Sequence, residues 1–119
     1  MGSPVSLSET LAERIEPALD FLRDNARDAA KARAELRYLA EFLKAKKAIL
    51  KANVPPGTSN AAAEDIALSS PEYLSLLEAY KSAVLQDSYY AFKRAAAEAT
   101  VAAWQTECAN HRSENKAYG

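Results

Sequence analysis

The side chains with the most chemical potential lie near the end of the chain. Cys108 and His111 are three apart, with Glu107 and Glu114 beside them. Residues three apart share a helix face, so two metal ligands are geometrically feasible there. A structural zinc site needs four ligands, and the chain holds one cysteine and one histidine. Carboxylates could complete a set, but the Glu-x-x-His pairing used by di-iron bundles does not occur. A Cys–His nucleophile pair would lack an orienting partner, oxyanion donors and a pocket-forming loop. The expectation is a partly exposed helix end, with no catalytic residue, no metal and no cofactor.

Three other constellations carry a chemical alternative. The acids Glu9, Glu13, Glu16, Asp20, Asp24 and Asp28 recur every three to four residues among Arg14, Arg23 and Arg27. Paired carboxylates can do acid–base work, but this spacing with interleaved arginines predicts a solvated helix face. Residues 29–53 carry seven basic groups against two acidic ones, a local charge of +5, while residues 1–28 carry −3 and residues 54–92 carry −4. Arg37, Lys44, Lys46, Lys47 and Lys51, with Tyr38 to stack on bases, would suit phosphate contacts on a nucleic acid. Cations near a helix C-terminus are also stabilised by the helix dipole, and an acidic neighbour helix would neutralise them. The aromatics Tyr73, Tyr80, Tyr89, Tyr90, Phe92 and Trp104 are spaced as core or interface residues. No G-x-G-x-x-G, P-loop or G-x-S-x-G motif occurs, and three glycines cannot build such loops.

The elements that must position these residues are helices. Of 119 residues, 26 are alanine, the strongest helix former, whereas Leu, Ile, Val and Phe together supply only 23. The net charge of −1 lacks the excess that drives disorder and argues against binding to nucleic acid through bulk positive charge. One domain is expected from the length. No apolar run is long enough for a transmembrane helix, and residues 1–10 lack the pattern of a signal peptide. A lone cysteine fits a reducing compartment, so a cytoplasmic location is expected, with no membrane partner. Residues 1–6 are expected to be disordered or tag-derived.

Thr10 and Glu13 have capping-box spacing at the head of a first helix, and Pro17 predicts a break or kink, with a long helix starting at Pro17. From Ala18 to about Ala52 neither Gly nor Pro intervenes. A stripe repeats every seven residues: Ile15, Leu22, Ala29, Leu36, Leu43 and Leu50. Its companion row is Leu19, Ala26, Arg33, Ala40 and Lys47, and Ala18, Ala32 and Leu39 form a second flank. Residues 53–60, with Pro55, Pro56 and Gly57, are the obvious loop, and Asn60 can cap a short helix over 61–68. Ser70-Pro71-Glu72 is the best helix start in the chain: a serine cap, a first-position proline and a first-turn acid. A second long helix should run from Pro71 to about Ser113, leaving 114–119 as a frayed tail. Its rows read Leu76, Ala83, Tyr90, Ala97, Trp104, then Leu77, Val84, Ala91, and to one side Leu85, Tyr89, Phe92, Ala96, Ala99, Ala103.

The predicted fold class is therefore all-α: an antiparallel long-helix hairpin with short flanking helices. A two-helix hairpin buries one stripe per helix, too little for so alanine-rich a chain to offset about 1–2 kcal/mol of backbone entropy per residue. Two solutions stand. One is a dimer that makes a helical bundle; the other is a three-helix monomer covered by residues 7–16 and 61–68. A homo-oligomer, with a dimer favoured, is expected, with Leu36, Leu43, Leu50, Leu77, Val84 and Trp104 at the interface.

Two stretches carry a family resemblance. One is residues 33–48 (Arg33-Ala34-Glu35-Leu36-Arg37-Tyr38-Leu39-Ala40-Glu41-Phe42-Leu43-Lys44-Ala45-Lys46-Lys47-Ala48). The other is Ser70-Pro71-Glu72-Tyr73 followed by Ala91 through Trp104-Gln105-Thr106-Glu107 and Arg112. Together they resemble small helical proteins encoded by bacteriophages and prophages in recombination and replication gene clusters. The resemblance implies a phage or prophage origin and an accessory role beside DNA-processing proteins, and it carries no catalytic residues. The function expected is a non-enzymatic helical interaction protein that self-associates. The alternative is an accessory nucleic-acid-binding protein using Arg37, Tyr38, Lys44, Lys46, Lys47 and Lys51.

Overall fold

A computed structural model describes residues 7–118 of the chain, with side chains described for residues 11–117. The expectation for residues 1–6 lies outside the described residues. Four helices account for the described secondary structure: α1 (Leu7–Asp24), α2 (Ala26–Ala52), α3 (Asn60–Ser69) and α4 (Pro71–Tyr118). The antiparallel hairpin of long helices is present as α2 and α4. Residues 29–89 form one compact unit; residues 7–28 together with residues 90–118 form another.

The unit of residues 29–89 holds most of α2, all of α3 and the first part of α4. Its buried residues are Ala32, Leu39, Leu43, Ala63, Ala67 and Ala83. Ala67 is wholly buried, at 0% exposure. Small residues there let α3 approach closely, so dense packing is reached without bulk. Arg33 Nε donates to Asp87 Oδ1 at 2.7 Å. This pairing joins α2 to α4 across 54 residues of sequence.

The turns of this unit follow from residue type. α2 ends before Pro55, and Gly57 adopts φ 89°. Thr58 donates from its backbone N–H to the Pro55 carbonyl at 3.3 Å and from its hydroxyl at 2.6 Å. Proline followed by a positive-φ glycine is the signature of a type II turn. The cap of α3 is Ser59, one residue before the expected Asn60; its hydroxyl accepts from the Ala62 N–H at 3.1 Å. Both residue types cap well, and the hydroxyl of Ser59 takes the position because the helix begins with Asn60 itself. Ser70 serves two helices. Its N–H donates to the Ala67 carbonyl at the end of α3, and its hydroxyl accepts from the Tyr73 N–H at the start of α4 at 3.2 Å. The predicted Ser70-Pro71-Glu72 start is thus realised.

The second unit pairs α1 with the latter part of α4. Its buried residues are Leu11, Ala18 and Ala97. Ile15, Phe21, Leu22, Tyr90, Val101 and Trp104 are half-buried. Lys93 Nζ lies 5.6 Å from the centre of the Phe21 ring, a cation–π distance. Four expectations are corrected here. Pro17 lies inside α1 and neither ends it nor starts a long helix. The interruption falls at Asn25, whose N–H donates to the Phe21 carbonyl at 3.0 Å, so the first long helix is α2 alone, 27 residues. Pro17 removes a single helical hydrogen bond, and the flanking turns are held by Leu11, Ile15, Ala18 and Leu22 on one packed face. Thr10 is helical, within α1, and so does not cap it. At the other end α4 continues to Tyr118, past the expected end near Ser113.

In both units the face that packs is the sevenfold stripe plus the Ala18, Ala32 and Leu39 flank; all six stripe residues are buried or half-buried. The companion row turns outward at Leu19, Ala26 and Arg33. On α4, every member of the row Leu76, Ala83, Tyr90, Ala97, Trp104 is buried or half-buried.

Candidate interaction surface

Between Pro71 and Tyr89, α4 has two sides of different character. The inner side carries Tyr73, Leu76, Tyr80, Ala83 and Asp87, all buried or half-buried. At 3.6 residues per turn, Leu74, Glu78, Lys81 and Leu85 fall within roughly 60° of one another on the opposite side, flanked by Leu77 and Val84. All six are exposed, Leu77 at 43% and Leu85 at 72%. Glu78, Lys81, Ser82, Val84, Leu85 and Ser88 line a shallow groove there. Burying a fully exposed leucine or valine side chain is worth about 1.5–3 kcal/mol, so this face keeps a driving force for association. In the other unit Phe92 stands 76% exposed.

The six residues expected at an interface divide into two groups. Leu36, Leu43 and Leu50 lie on the packed face of α2, and Trp104 is half-buried on the inner row of α4. Their apolar surface is largely taken up within the chain. Leu77 and Val84 remain outside. Leu74 and Leu85 complete the outer face. Leu85 heads the side stripe read from the sequence, whereas Leu74 is hard to find there because Glu78 and Lys81 separate it from Leu85; the usable signal is its spacing from Pro71, opposite the inner row.

The basic cluster of α2 is partly neutralised. The Lys47 ammonium pairs with the Glu64 carboxylate of α3. That hydrogen bond raises the Lys47 pKa, and it holds Glu64 below its usual range, with Lys51 adding to the field. Lys44 lies 3.3 Å from Glu41. Arg37 and Tyr38 are exposed, and Lys46 is half-buried. The Tyr38 ring stacks on Phe42 with centroids 5.8 Å apart and planes 15° apart. Arg33, outside the expected set, is spent on Asp87, which raises its pKa through their hydrogen bond.

The remaining chemical candidates form no site. Among the described residues, no three His, Cys, Asp or Glu side chains are grouped to hold a metal ion. Cys108 is a half-buried free thiol, and exposed His111 reaches Glu114 only at 3.9 Å. Along the acidic face, Arg23 bridges Asp20 at 2.9 Å and Asp24 at 2.8 Å, all solvent-exposed. The hydrogen bond from Arg23 lowers the Asp24 pKa. Among the described residues no helix is long and apolar enough to cross a membrane. No protein-family model, curated protein or solved structure matches the chain. What the geometry defines is a class: an all-α protein whose second long helix packs on one side and is uncovered on the other.

Proposed function

We propose that this chain is a non-enzymatic helical interaction protein that self-associates through its long helices. The observation that carries the reading is the outer face of α4, where Leu74, Leu77, Val84 and Leu85 stay exposed although α2 already packs on the inner side. The inner side is therefore used, and apolar surface is left over. The resemblance of residues 33–48, and of residues 70–73 with 91–107 and Arg112, to phage and prophage proteins supports an origin of that kind. Sedimentation of the full chain over a concentration series tests the reading. Mass should rise from the 12.9 kDa of one chain towards twice that value. Leu77→Ser with Val84→Ser should return it to one chain while the helical signal is unchanged. A single-chain mass at every concentration contradicts the reading.

The alternative of nucleic-acid binding keeps Arg37, Tyr38 and Lys44 outside but has Lys47 committed to Glu64. A salt-sensitive shift of DNA that disappears with Arg37→Glu plus Lys46→Glu would favour it. No shift at low salt would end it.

A further inference from the structure

The outer face of α4 is its own complement, and we propose that its occupant is the same face of a second copy, running antiparallel. This inference rests on the self-association reading and adds the surface and its register.

Leu74, Glu78, Lys81 and Leu85 are spaced four, three and four residues apart, the spacing of a helix–helix seam. A two-fold axis running between the two helices, level with the midpoint of Ala79 and Tyr80, sets Leu74 against Leu85 of the partner subunit. The same axis sets Glu78 against Lys81 of the partner subunit, and by symmetry both contacts occur twice. Two charged layers then sit between two leucine layers. Leu77 falls beside Val84 of the partner subunit on one flank, and Ser75 beside Ser82 of the partner subunit on the other. Apolar meets apolar, acid meets base and hydroxyl meets hydroxyl.

The charges also choose the direction. A parallel pair would place Glu78 beside its own copy and Lys81 beside its own copy, two like-charge contacts. Antiparallel pairing converts both into opposite-charge contacts. A polar layer inside a seam fixes orientation at some expense of affinity. Glu78 and Lys81 are exposed and form no ion pair with each other or with another described residue, so both are available to a partner.

Charge exchange tests the register. Glu78→Lys and Lys81→Glu are each placed in the full chain, and association is followed by sedimentation, with helical content monitored in parallel. Each single variant should associate at least about tenfold more weakly than the unmodified chain, because both central contacts become like-charged. An equimolar mixture of the two variants should recover association, since each then supplies the charge the other lacks. Recovery also demonstrates that both variants are folded. If the unmodified chain associates but neither variant is weaker, the register is overturned and self-association stands on another surface. Weakened variants that fail to recover on mixing overturn the antiparallel pairing. An unmodified chain that never associates overturns the register and the self-association reading together.

Discussion

The unit of residues 29–89 and the unit of α1 with the end of α4 are made from the same alanine-rich material, yet they are held differently. In the first, three helices meet around Ala32, Leu39, Leu43, Ala63, Ala67 and Ala83, and ion pairs tie both α3 and α4 to α2. In the second, Leu11, Ala18 and Ala97 are the buried residues, and the Lys93 ammonium lies over the Phe21 ring. The first also carries serine caps at both ends of α3 and a glycine turn, whereas the second contains a proline inside its helix. Alanine gives helices cheaply, but a third helix is needed before it gives a core.

That contrast can be broken at its strongest point. Leu43→Ala should remove about 2–5 kcal/mol from residues 29–89, read as a lowered denaturation midpoint and faster amide exchange in α2 and α3. If the two units are held independently, exchange in α1 should change little. Pro17→Ala should act in the opposite direction on the other unit. It restores a helical N–H and removes a clash, stabilising α1 by up to about 3 kcal/mol, seen as slower exchange across residues 14–22. No gain would mean that the surrounding packing is already adapted to the proline.

Overpacking sharpens the same comparison. Ala67→Leu should cost about 1–3 kcal/mol, because nothing around a fully buried alanine can yield to three more carbons. Gly57→Ala should cost about 1 kcal/mol through its positive φ alone, since a Cβ there would meet nothing within 4 Å.

The smallest effect belongs to the Lys47–Glu64 pair. Glu64 is depressed, so its contribution is present above the unfolded carboxylate pKa of about 4.3 and is lost as pH falls through the lower folded value. Lys47 is raised, so its contribution is present below about 10.4 and is lost as pH rises through the higher folded value. Glu64→Gln should flatten the acid side of the stability profile slightly, and added salt should mimic the substitution, since both side chains are more than a third exposed.

The inner row Leu76, Ala83, Tyr90, Ala97, Trp104 was legible because a period of seven survives the dilution by alanine. The start of α4 was legible because Ser70, Pro71 and Glu72 each suit one helix position. The break at Asn25 was not legible: no Gly or Pro marks it, and Pro17 gives the louder local signal. The companion row was a poor guide to the packed face of α2: Arg33 is exposed and reaches Asp87, and the flank of Ala32 and Leu39 packs in its place beside the stripe. The partial neutralisation of the basic cluster depends on Glu64, which only the chain reversal at residues 53–60 brings near. The outer face of α4 was half legible. Leu77 and Val84 stand out as a row, whereas Leu74 and Leu85 are separated by two charges that matter only when a second surface is considered.

The central claim is that the inner leucines are spent within the chain and the outer face of α4 is left for another copy. Methyl NMR spectra of the full chain in a dilution series address it directly. The methyl signals of Leu74, Leu77, Val84 and Leu85 should move with concentration, while those of Leu36, Leu39 and Leu43 stay fixed. Signals that do not depend on concentration, or that move at the inner leucines instead, would contradict it.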